Sequence, residues 1–212
     1  MQDAETGTWW QQVSGEAIFG PLKGKQLTLV PFDQLTFAAW REEAPEGRVL
    51  APEARIAAAN RYARADWEER MQKTPAPASA SNDARLQPRA LVLGVEIDRA
   101  ARAYPLAGLR PSGVVLDTLG GVPIAIVRGP DGRSTRVFDR TVDGRALEIF
   151  AKIDASPFRM VDTETGSEWD FAGGAVAGAL KGRHLRRLPF LEEYWFDWKA
   201  YHPSTDVARH IF

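Results

Sequence analysis

The sequence predicts an α+β, strand-rich fold in which antiparallel hairpins build a curled sheet or a small barrel beneath short covering helices. Three observations predict it. The stretch at 162–207, beginning DTETGSEWDFAGG, restates an N-terminal stretch at 3–49, beginning DAETGTWWQQVSG. From Ala90 onward apolar residues alternate with a period of two, the mark of half-buried strands. Glycine-bearing turns separate those alternating segments.

The internal match is close. Glu5-Thr6-Gly7 aligns with Glu164-Thr165-Gly166 and Trp10 with Trp169; after a one-residue slip, Leu22-Lys23-Gly24, Leu27, Pro31-Phe32, Trp40 and Pro45 recur as Leu180-Lys181-Gly182, Leu185, Pro189-Phe190, Trp198 and Pro203. A gap-free register over about thirty-five residues marks a repeated structural unit. Each copy reads as a Thr-Gly turn, a strand ending near the Trp, a small-residue stretch, and a Lys-Gly hairpin turn. A strand follows over 27–30 or 185–188, then a short helix stopped by proline. Phe37 and Trp40, matched by Trp195 and Trp198, are three apart and share one helix face, predicted to cover a sheet. Between the copies, residues 51–72 are rich in Ala, Arg and Glu and favour helix, with Tyr62 and Trp67 as anchors. Residues 73–84 form a Pro/Ala/Ser linker. The chain thus divides into a partial first repeat (1–50), a helical connection and linker (51–84), and a complete second repeat (85–212). Within the last, hairpins are expected about Asp98-Arg99, Gly120-Gly121 and Asp143-Gly144, with a Pro130-Asp131-Gly132 turn.

Composition narrows function by exclusion. The 212 residues contain 27 Lys and Arg against 28 Asp and Glu, which is not the basic excess of a dedicated nucleic-acid binder. An apolar content of 44% supplies a core. No stretch has the length of a transmembrane helix, and the N-terminus lacks the charge and apolar run of a signal peptide. Cysteine is absent, which removes disulfides, thiolate nucleophiles and zinc–thiolate sites; it does not identify a compartment.

The segments LGVEIDRAARAYPL (93–106), DTLGGVPIAIV (117–127), FDRTVDGRALEI (138–149), DTETGSEWDFAGGAVAGALKG (162–182) and FDWKAYHPSTDV (196–207) resemble the bacterial and archaeal domain-of-unknown-function family 3179. The resemblance implies a tandem arrangement in which each half carries these motifs in order, and family members often look exported. Here the first copy lacks the upstream hairpins of the second, so the chain resembles the back end of a first half joined to a complete second half. Many family members carry a cysteine-containing loop after the strand equivalent to 122–127. In this chain that loop reads RGPDGRS, so no thiol or metal role transfers with the resemblance, and neither does any activity.

No catalytic constellation stands out. His184, His202 and His210 are not spaced as a helical ligand pair; no GxSxG is present; GGAVAGALKG lacks the phosphate-loop spacing and reads as turns between strands. The run Lys181, Arg183, His184, Arg186, Arg187 reads as one charged strand face. The carboxylates Asp117, Asp139, Asp143, Asp162 and Glu164 fall at turns and strand ends, Asp139 beside Arg140. No metal, cofactor or catalytic residue is therefore assigned. The favoured expectation is a non-catalytic scaffold or binding protein, joined to a protein partner or to itself through a sheet edge left open in the first repeat. The alternative is a small-ligand-binding protein or enzyme with a cleft between the repeats lined by Arg128, Asp139, Arg140 and Trp169.

Overall fold

A computed structural model describes residues 1–51, 53–54, 66–77, 83–153 and 155–208. Tyr62 and His210, and much of the predicted helix and linker, lie outside the described residues.

In the first copy, β1 (Trp9–Trp10) pairs with β2 (Ala17–Phe19), and α1 (Phe37–Glu43) follows. Of the connection, Trp67–Lys73 is helical (α2). The second copy opens with β3 (Leu91–Ile97) and β4 (Ala100–Pro105), then a 3-10 turn at Leu106–Gly108. Next come β5 (Val114–Leu119), β6 (Val122–Arg128), β7 (Thr135–Asp139), β8 (Thr141–Val142), β9 (Arg145–Ala146) and β10 (Ile149–Ala151). The chain continues through β11 (Met160–Asp162), β12 (Glu168–Trp169), β13 (Ala175–Ala177), β14 (Arg186–Arg187), β15 (Leu191–Tyr194), α3 (Trp195–Tyr201) and β16 (Asp206–Val207).

These strands form three four-stranded sheets, ordered β15-β3-β4-β16, β14-β7-β6-β5 and β10-β11-β12-β13. All the pairings are antiparallel except β16 on β4. The sheets stay open, so the barrel alternative is not what forms: closure of the second sheet would need β5 to pair with β14, and each is an end strand. The predicted turns are where the glycines and aspartates put them. Asp98 and Arg99 have φ of 48° and 71°, and Asp143 and Gly144 have 49° and 78°, the left-handed pairs that suit the twist of a two-residue hairpin.

Strand alternation builds the layers. Leu93 and Val95 of β3 face one core with Ile124, Ile126, Val137, Leu188 and Phe190. Val92 faces the other way, toward Ala103, Trp195 and Trp198. On the opposite side of β6 and β7, Val127 and Phe138 join Leu147, Ile149, Met160, Trp169 and Leu185 in a third cluster. Thus α3 covers the first sheet, that sheet packs on the second, and the second packs on the third. Gly94 is where α3 sits closest: a Cβ there would lie 2.4 Å from the Trp198 ring.

The two matching segments share local structure in detail. Trp10 Nε1 donates to Asp3 and Trp169 Nε1 to Asp162, both at 2.9 Å. Leu27 N donates to the Gly15 carbonyl as Leu185 N does to that of Gly173. The helices α1 and α3 each span seven residues. Surroundings differ, however. The predicted strand over 27–30 does not form, because nothing pairs with it in a ladder, whereas 186–187 pair with β7. The expected cover over the α1 face also fails: Phe37 is 62% exposed, while its counterpart Trp195 is 1% exposed.

Candidate functional site

Residues 32–43 fasten the first copy to the second through β7 and the loop before it. Arg136, on β7, is fully buried. Its guanidinium donates to both carboxylate oxygens of Glu43 (2.7 and 2.6 Å) and to Asp33 (2.9 Å), and lies 4.5 Å over the Phe171 ring. A bidentate, charge-assisted pair of this kind is both directional and strong. Arg187 adds a second contact to Asp33 at 2.8 Å. Beside the clamp, Thr135 N donates to the Gln34 carbonyl (2.8 Å), and Phe32 stacks on Phe190 with centroids 5.4 Å apart.

The loop at 128–133 is organised by one carboxylate. Asp131 accepts from the Arg133 and Ser134 amides and from the hydroxyls of Ser134 and Thr36. These hydrogen bonds outweigh partial burial and hold its pKa at about 2. Thr36 in turn caps α1, accepting from Ala39 N at 3.2 Å. The position that the family resemblance gives to a cysteine loop is therefore occupied by an Asx-type turn that helps seat the first copy.

The four residues expected to line a shared cleft do not converge. Arg128 and Asp139 lie at opposite ends of the β6–β7 pair, where Arg128 is opposite Thr135 and Asp139 opposite Ile124; four strand residues separate them by about 13 Å. Arg128 donates to the Gly132 carbonyl (2.9 Å) and the Thr135 hydroxyl (2.6 Å) and sits 3.5 Å from Glu192. Asp139 accepts from Thr141 N and Arg186; these bonds lower its pKa against the upward pull of desolvation. Arg140 donates to the Leu147 carbonyl and to Glu148, and Trp169 is buried against Asp162. The basic run is likewise engaged: Arg183 pairs with Asp143, Arg186 with Asp139 and Arg187 with Asp33. His202 ends α3, stacked on Trp198 at 3.6 Å with Glu96 3.5 Å away. Burial lowers its pKa despite that carboxylate.

Two features invisible to sequence patterns remain. One is the apolar surface of the first copy. Leu27, Val30 and Phe37 are 46%, 66% and 62% exposed, whereas Leu185, Leu188 and Trp195, their counterparts, are 4%, 5% and 1% exposed. The other is a cleft of about 800 Å³ between α1 and the loops at 155–159 and 170–172. Its apolar wall includes Ala38, Ala39, Phe158 and Phe171, and its polar groups include Glu42, Asp131, Arg159 and Asp170. The segments that supply these residues are remote from one another in sequence, so only their docking reveals the cleft.

Among the described residues no helix is long and apolar enough to cross a membrane, and no group of acidic or histidine side chains is arranged to hold a metal. No curated protein and no solved structure matches the chain. The model of one family, described as a protein of unknown function (DUF3179), matches residues 1–205, and the chain belongs to that family.

Proposed function

We propose that the chain is a non-catalytic binding module that engages a protein surface through the apolar face of its first copy. One observation carries this reading: positions that are buried over 185–195 are open over 27–37, although the two segments share turns, hydrogen bonds and helix length. Leu29 (48% exposed) and Val49 (66%) add to the exposed apolar residues within 1–50. A surface rich in exposed apolar residues marks an interaction site more often than a monomer surface.

With no other protein present, two copies sharing this face form the simplest closed contact. Sedimentation velocity over a rising concentration series tests the reading. The expected result is concentration-dependent dimerisation that Val30→Glu and Phe37→Glu abolish. A wild-type chain that stays monomeric to about millimolar concentration, where even a Kd near 1 mM would register, overturns it.

A further inference from the structure

We propose that the cleft between α1 and the loops at 155–159 and 170–172 is a binding site for a free α-amino acid with an apolar side chain. The cleft is distinct from the exposed face of the first copy. Its volume of about 800 Å³ lies within the range of small-molecule sites, which pair an apolar lining with a few convergent polar groups.

The lining sorts into three kinds of group. The apolar floor is aromatic: Phe158 and Phe171 meet edge to face, with centroids 5.9 Å apart, and the Arg136 guanidinium lies over the Phe171 ring. Several charges at the rim are already satisfied. Glu43 is taken by Arg136, and Asp131 is saturated by four donors. Three are not. Among the described residues Glu42, Arg159 and Asp170 have no ion-pair partner within 4 Å. Arg159 gives one donor to the Phe158 carbonyl at 2.9 Å, and the nearby carboxylate of Glu168 is itself paired with Lys152. Asp170 spends one oxygen on Gly174 N (2.8 Å).

One guanidinium and two carboxylates without ion-pair partners on the same apolar cleft complement a small zwitterion whose ammonium group the two carboxylates share. Arg159 would take the ligand carboxylate, in the fork geometry that guanidinium offers. Glu42, with the remaining oxygen of Asp170, would take the ammonium group, and the side chain would lie on Phe158 and Phe171. A simple anion would meet the carboxylates, and a simple amine would leave Arg159 without a partner.

Isothermal titration of the full chain with L-leucine and L-phenylalanine tests this, with leucinamide and 4-methylvalerate as analogues lacking the carboxylate charge and the ammonium group. Saturable binding of the amino acids is expected, with each analogue weaker by about tenfold or more, the loss of about 1.4 kcal/mol. Arg159→Gln should erase the preference for leucine over leucinamide, and Glu42→Gln the preference for leucine over 4-methylvalerate. Both side chains reach solvent, so neither change should disturb folding. Absence of binding by the wild-type chain, or binding that both variants leave unchanged, overturns the proposal. Neither result bears on dimerisation through the first copy.

Discussion

At the level of single residues, the same side chain does different work in the two copies because its surroundings differ. Asp162 is fully buried and accepts from Thr165 and Trp169; Asp3 makes the matching bonds to Thr6 and Trp10 near solvent. Asp162→Asn should cost about 1–3 kcal/mol, the range for a mismatched buried acceptor, and Asp3→Asn clearly less; urea unfolding of both variants makes the comparison. Gly94 is a second such position. Any Cβ would meet the Trp198 ring, so Gly94→Val should destabilise by about 1–3 kcal/mol through overpacking, with lost protection of the α3 amides in hydrogen exchange. Glu193 makes a prediction about pH. Burial, and secondarily the Asp197 carboxylate, raise its pKa from 4.5 to about 7. Between those values the folded chain holds a proton that the unfolded chain releases, so this group's contribution to stability falls as pH rises from about 4.5 to about 7. Glu193→Gln should therefore raise the melting temperature at pH 8 relative to wild type and change it far less at pH 4.

At the level of elements, the helices α1 and α3 are equal in length and end alike, each last amide bonded back to a tryptophan carbonyl, yet only α3 covers a sheet. The difference lies in what is available to cover. The β3–β4 hairpin supplies Val92, Gly94 and Ala103 beneath Trp195 and Trp198, and residues 1–50 contain no such hairpin. The first copy is instead held by the Arg136 clamp. Arg136→Leu removes the cation and leaves Glu43 unpaired, although Asp33 keeps Arg187. A loss of about 3 kcal/mol is expected, the lower end for breaking a buried pair, because Glu43 retains partial access to water. Limited proteolysis should then cut residues 44–50 faster than in wild type; unchanged cleavage would show that the clamp is not what holds the first copy in place.

At the scale of the whole molecule, the three sheets share one chain of apolar contacts, while the first copy is joined largely by charge and hydrogen bonds. That asymmetry predicts a graded response to salt. Partly exposed ion pairs are screened as ionic strength rises, and buried apolar contacts are not. Hydrogen exchange in about 1 M salt should therefore accelerate in residues 32–43 before it changes in β3, β6 or β7. Uniform acceleration across the chain would contradict the division into a core and a charge-docked first copy.

Much of this fold was legible in the sequence. The hairpin turns at Asp98-Arg99, Gly120-Gly121 and Asp143-Gly144 follow from local backbone chemistry, and the alternation in β3 and β6 follows from a side-chain period of two. The two matching segments have turns and hydrogen bonds in common, because those are set within each segment. The strand over 27–30 and the burial of Phe37 were misread for one physical reason, that each depends on a partner contributed from elsewhere; the same dependence decides between the curled sheet and the barrel, and the sheets stay open. The candidate site is a different case. Arg128, Asp139, Arg140 and Trp169 looked available although most of their partners lie within eight residues, because a residue pattern does not show which side chains a turn brings back onto one another; Glu42 and Arg159, far apart in sequence, could be set beside each other only by the tertiary structure. Turns and strand faces follow from the order of residues alone, because each is set within a few residues of chain. Which of the two matching segments is covered does not, since burial and ion pairing belong to pairs of surfaces and not to segments of chain.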